Sequence, residues 1–166
     1  MKRSLTVLGL LSFLVASVVV GQDKAGHADD PKHVVVRPDA ITWGPGPASL
    51  PSGVQMGVLV GDPTKAGVPY VIRAKLPDGY KVPPHWHPHD ENITVVQGTL
   101  LLGEGEKIDP TKAEKLPAGS YARMPKTMRH FAMAEGETII QLHGIGPFEI
   151  HYVNPADDPR KKTDKK

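Results

Sequence analysis

Residues 79–98 read GYKVPPHWHPHDENITVVQG. His85 and His87 are separated by a single residue, and Glu91 lies close behind them. On an extended segment side chains alternate, so residues i and i+2 point to one side, and two imidazoles can converge on one ion. Pro83, Pro84 and Pro88 bracket the pair. They stiffen the backbone and lower the entropy lost on organising ligands. Glu91 opens an apolar run with Ile93 and Val95 on its own side, so it enters the same interior from the neighbouring strand. His130 ends the segment LPAGSYARMPKTMRH, residues 116–130, which reads as strand, turn, strand. Three imidazoles and one carboxylate, with no soft ligand among them, suit one divalent transition metal: Mn, Fe, Co, Ni, Cu or Zn.

Around this stretch the chain is built from short β-branched runs: HVVVR, VQMGVLV, VPYVIRAKL, NITVVQ, TLLLG, TIIQLHG and FEIHYV. Turn signals punctuate them at GPGP, GDPTKAG, LPDGY, GEGEKIDP, LPAGS and AEGE. Strands and turns at this spacing predict an all-β antiparallel sandwich or barrel. The 17 Gly and 17 Pro leave room for few long helices. One or two helical turns are expected near Asp109–Lys115, where Pro110 occupies a helix-start position. Gly103-Glu104-Gly105 reads as a turn and not as a phosphate loop.

The two ends differ from this body. Lys2 and Arg3 precede an apolar run from Leu5 to Val20, and the chain turns polar at Gln22 and Asp23. This is the layout of a signal peptide over residues 1–21. The run is shorter than the ~20 apolar residues usual for a span, so cleavage with no stable membrane span is expected. Export would place the protein in the periplasm or outside the cell. Residues 22–32 read as a flexible lead-in, 33–154 as the single folded domain, and 155–166, PADDPRKKTDKK, as a polar disordered tail. The 20 basic and 18 acidic residues give +2 overall. Lys2 and Arg3 leave with the signal, so the two signs balance in the mature form and make no electrostatic case for nucleic acid. Cysteine is absent, so burial and metal, not crosslinks, must hold the fold.

The spacing resembles the cupin family. The first cupin motif runs Gly, five residues, His-x-His, three or four residues, Glu, six residues, Gly. Gly79, His85, His87, Glu91 and Gly98 match every fixed position. The second motif runs Gly, five residues, Pro-x-Gly, two residues, His, three residues, Asn. Gly119, Pro125 and His130 match it, while Thr127 stands for the Gly and Ala134 for the Asn. The resemblance implies a double-stranded β-helix, or jelly-roll, with a metal inside one end, and His85, His87, Glu91 and His130 as its ligands. Because the family commonly dimerises through outer strands, it also implies a homodimer.

Other polar residues carry weaker readings. His89 is expected at the rim, and Asp90 in a solvated turn. Gln141 and His143 share one side of TIIQLHG, opposite Ile140 and Leu142. They face either the cavity or solvent. On the inward reading, His143 is a candidate catalytic acid/base, since imidazole titrates near neutrality. His151 shares a side with Glu149, opposite Phe148, Ile150 and Tyr152, and is expected on a wet outer face.

These readings lead to an exported metal-dependent enzyme acting on a small molecule. With Fe, Cu, Ni or Mn the expected chemistry is dioxygenase-type cleavage of an enol or diketone. With Zn or Mn as Lewis acid it is isomerisation or decarboxylation, and in either case Glu91 is the candidate base. The alternative is a non-catalytic cupin that holds a small ligand over a structural or chelating metal. A cavity lined by Gln141, His143 and an Arg would favour catalysis or anion binding, and one filled by apolar side chains a structural role.

Overall fold

In a computed structural model, residues 33–161 are described. Nine strands form the body: β1 Gly44–Pro45, β2 Gln55–Gly61, β3 Pro69–Leu76, β4 Lys81–Trp86, β5 Glu91–Glu104, β6 Glu114–Pro117, β7 Tyr121–Met124, β8 His130–Ile145 and β9 His151–Tyr152. One path runs β1-β2-β3-β8-β4-β9, and β5 pairs with β6, β7 and β8. All of these pairings are antiparallel. The all-β jelly-roll expectation holds.

Two long strands organise the shell. β8 pairs with β4 through its first residues and with β3 through its last. β5 runs along β8 for nearly its whole length, from Asn92 opposite His143 to Glu104 opposite His130. Their register slips between Val95 and Thr99, where Gly98 has φ 75°. Such bulges bend a strand and raise its twist, which curls the sheet. A Cβ on Gly98 would stand 2.4 Å from the Glu137 carbonyl oxygen, so only glycine fits the bend.

Alternation sorts the side chains. Ile93, Leu100 and Leu102 of β5, Ala74 and Leu76 of β3, and Ile140 and Leu142 of β8 are buried in one apolar core. Each large aliphatic side chain of this kind contributes ~1.5–3 kcal/mol by leaving water. Gly103 and Glu104 correct one expectation. They belong to β5, not to a turn, because buried Phe131 lies across Gly103, whose Cβ would sit 2.2 Å from the ring. The helical turn expected near Asp109 exists as a 3-10 turn over Pro110–Lys112, with the Asp109 side chain accepting from Thr111 N–H.

The expected disorder from residue 155 does not hold as far as Lys161. Two 3-10 turns, Pro155–Asp157 and Pro159–Lys161, follow β9. The Asn154 side chain accepts from the Ala156 N–H, and Arg160 donates to Asp158 at 2.8 Å and to the Ile150 carbonyl at 3.3 Å. The charged composition that reads as a tail thus supplies local caps and an ion pair. The described chain from Val34 onward forms one compact unit. The signal-peptide and lead-in expectations, residues 1–32, and the end of the tail lie outside the described residues. Among the described residues no helix is long and apolar enough to cross a membrane.

Candidate metal centre

Three strand ends meet at the site. His85 lies near the end of β4, opposite His130, which opens β8. The β4–β8 register shifts between Val82 and His85. That irregularity, at Pro83-Pro84, turns Val82 and His85 toward the same cavity although their parity differs. His87 follows β4, and Glu91 is the first residue of β5. All four side chains are buried, at 4%, 5%, 6% and 1% exposure for His85, His87, Glu91 and His130.

One ligand atom from each of the three imidazoles lies within 4.8 Å of the others, so the three histidines could hold one metal ion. Glu91 Oε2 is 3.4 Å from His87 Nε2 and 3.2 Å from His130 Nε2. Each Nδ1 faces a backbone carbonyl: His85 that of Pro83 at 2.7 Å, His87 that of Glu149 at 2.6 Å, and His130 that of Met128 at 3.0 Å. A carbonyl only accepts, so in each neutral ring Nδ1 carries the proton and Nε2 presents its lone pair. The Nε2 atoms of His87 and His130 are buried without a hydrogen-bond partner, since the approach to Glu91 lacks hydrogen-bond geometry. Buried polar atoms are rarely left so. A cation among them would supply the missing partner, and carbonyl-held imidazoles are the usual outer support of a metal ligand. The residues fit a divalent transition metal.

Electrostatics point the same way. Burial, with His130 and His87 adding like charge, lowers the His85 pKa to about 3, so this ring stays neutral. Burial opposes charge on His87, but the Glu91 carboxylate outweighs it and raises His87 above its ordinary 6.5. Burial likewise opposes charge on Glu91, and His87 and His130 outweigh it, holding the carboxyl well below the usual range. In the metal-free site Glu91 therefore favours the protonated form of His87, and His87 favours the ionised form of Glu91.

The site opens on an inner chamber of about 50 Å³. Ala74, Leu76, Val82, Ile93, Leu100 and Leu142 are among its walls, and the imidazoles and Glu91 are its main polar groups. The structure does not bring His143 or Gln141 here. Ile140 and Leu142 line the chamber, and alternation puts Gln141 and His143 on the other face. There Gln141 accepts from Arg73 Nε at 3.2 Å, and the His143 carbonyl accepts from the Asn92 amide at 3.1 Å. The inward reading of His143, and the catalytic role that depended on it, is corrected accordingly. Asp90 lies between His89 and the start of β5, at the surface. It accepts from the Lys126 N–H at 2.9 Å and pairs with Arg123. His89 is exposed, at the edge of a small outer cavity beside His87 and Glu91. His151 stacks on Trp86 at 4.2 Å and meets Glu149 at 3.2 Å, on the outside as expected.

Two contributors escaped the sequence reading. The Glu149 carbonyl holds His87 across 62 positions of chain. Phe148 lies over the same imidazole, centroids 5.3 Å apart with planes at 22°. A backbone acceptor leaves no trace in residue identity. Parity alone had placed Phe148 inward.

A family profile described as the ChrR cupin-like domain matches residues 31–149. No curated protein sequence matches the chain. Among solved structures, a candidate acetylacetone dioxygenase from Methylibium petroleiphilum is 18% identical, with a TM-score of 0.59, covering 78% of this chain and 87% of its own. The polyketide cyclase RemF from Streptomyces resistomycificus is 17% identical, with a TM-score of 0.58, covering 80% and 93%. KdgF from a Halomonas species is 21% identical, with a TM-score of 0.52, covering 70% and 96%. At these identities the likeness establishes the fold.

Proposed function

This chain belongs to the ChrR cupin-like domain family, and from that premise we propose that it is an exported metal-dependent enzyme of dioxygenase type acting on a small enol or diketone. His85, His87, His130 and Glu91 hold the ion, one of Mn, Fe, Co, Ni, Cu or Zn. The observation that carries this reading is the convergence of three carbonyl-oriented imidazoles on one point beside a buried carboxylate. When bound, such an ion supplies a Lewis-acidic position for a substrate oxygen and, if it is Fe, Cu, Ni or Mn, redox chemistry with oxygen. The rest falls to the chain. The apolar walls exclude water and accept the carbon skeleton of an uncharged substrate. Glu91 is the one carboxylate among the described residues lining the chamber, which supports it as the base that takes a proton from the carbon or hydroxyl acid that becomes the enolate. The similarity to a candidate acetylacetone dioxygenase supports this choice of substrate class.

A second reading is favoured by the same walls. An apolar chamber of about 50 Å³ with no acid or base but Glu91 and the imidazoles also suits a small-ligand-binding protein with a structural metal. Oxygen uptake decides between them. Protein loaded separately with Fe, Mn, Ni and Cu is offered acetylacetone and a panel of enols and keto acids. Uptake that requires both metal and Glu91 supports the enzyme. Ligand binding without turnover under any metal supports the binding protein. Export is tested by sequencing the N-terminus of the protein recovered from the cell envelope, where loss of residues 1–21 is expected.

A further inference from the structure

Three cavities meet at one side chain. Phe148 lines the inner chamber of about 50 Å³. It lines the small outer cavity that also touches His87 and Glu91. It also lines an outer groove of about 230 Å³ walled by Pro45, Met56, Val58, Pro63 and Ile72. The chamber and the groove share no other residue. The chamber has room for roughly three to five waters, at 10–15 Å³ each. A diketone with bulky substituents is larger than that, and the groove beyond Phe148 is mostly apolar.

We propose that the Phe148 ring is the partition that sets the size of molecule reaching the metal position, by keeping the apolar groove behind it closed to whatever is held in the chamber. The inference rests on the metal-site reading above. The backbone at this point is fixed. Phe148 N–H donates to the Pro63 carbonyl at 2.7 Å, and the next carbonyl, that of Glu149, accepts from His87. The loop therefore does not lift as a lid without disturbing a ligand. The one residue common to the two spaces presents a side chain stacked on His87 and edge-on to Tyr70 at 6.0 Å. A side chain that only positioned His87 would change all ligands alike. A partition changes them by size.

The test uses two chelators with the same head, acetohydroxamate and benzohydroxamate, titrated into Co(II)-loaded protein and read by visible absorption. Wild type is expected to prefer acetohydroxamate. Phe148→Ala should tighten benzohydroxamate about ten-fold or more while moving acetohydroxamate little, as removal of steric bulk from an apolar pocket does. Phe148→Leu, which keeps apolar packing over His87, should fall between. An unchanged preference in both variants overturns the proposal. Benzene binding to the metal-free protein, followed by methyl NMR, judges the partition independently. Phe148→Ala should admit benzene where wild type does not, and its exclusion from the variant overturns the proposal. Failure of the protein to take up Co(II) counts against the metal reading alone.

Discussion

The backbone N–H of Thr127 donates to the carbonyl of His87 at 2.8 Å, and it does so from a φ of 65°. The cupin motif has glycine at this position. A β-branched residue in the left-handed region is strained by ~1–3 kcal/mol. Glycine would relieve the strain but lose ~0.5–1 kcal/mol of chain entropy. Thr127→Gly is therefore expected to stabilise the fold by about 1 kcal/mol, seen as a higher urea midpoint at unchanged slope. Metal affinity should hold, because the N–H survives the change.

Gly98 and Gly79 both have positive φ, 75° and 71°, but they stand in different surroundings. A Cβ on Gly98 meets the Glu137 carbonyl at 2.4 Å and Thr138 Oγ1 at 2.7 Å, while one on Gly79 meets nothing within 4 Å. Gly79→Ala should cost only the conformational ~1–2 kcal/mol. Gly98→Ala should cost that and a further ~1–3 kcal/mol for the clash at the bend. Chemical denaturation of the two variants side by side measures the difference.

His87→Ala should strip the protein of metal, with a loss larger than the roughly 10–100-fold that follows removal of an outer hydrogen bond. His151→Ala should leave metal content unchanged, because His151 lies outside against Trp86 and Glu149. Elemental analysis after dialysis against a weak chelator reads both. Equal loss in the two variants would end the ligand assignment.

Proton competition gives metal uptake a pH dependence. His87 is raised above 6.5 by Glu91, so the ion must displace a proton wherever pH lies below that raised value. Affinity should fall about ten-fold per pH unit below the raised value and level off above it. His85, held down near 3, releases none. In the metal-free protein the signs run oppositely for the two partners. The raised His87 stabilises the fold fully below 6.5 and stops doing so as pH rises through its folded value. The depressed Glu91 does so above 4.5 and stops as pH falls through its folded value. The pair should contribute most between pH 4.5 and 6.5, against the opposite contribution of His85, whose depressed pKa costs stability as pH falls below 6.5. Calorimetry in buffers of different ionisation enthalpy counts the proton released, and thermal melts of metal-free protein across pH test the window.

The strands and the four converging side chains were legible because spacing encodes them. His85, His87 and Glu91 lie within one short stretch, and the Val, Ile and Leu runs alternate as sheets require. What stayed hidden has physical reasons. Alternation shows that Gln141 and His143 share a face, but not which face is inside, and that was settled only by where Ile140 and Leu142 pack. Gly103 looks like a turn until Phe131, far along the chain, is laid across it. Arg160 and Asp158 have the composition of a loose tail, and only their mutual geometry makes them a clasp.

Two of the three imidazoles are steadied from two residues upstream, by the carbonyls of Pro83 and Met128. The third depends on Glu149, well downstream of both. His85 and His130 are thus held by acceptors close to them in the chain, while the carbonyl that holds His87 comes only with the segment that carries Glu149. The readiness of the site to capture a cation is consequently tied to the docking of the segment around Glu149, remote in the chain from the ligands it serves.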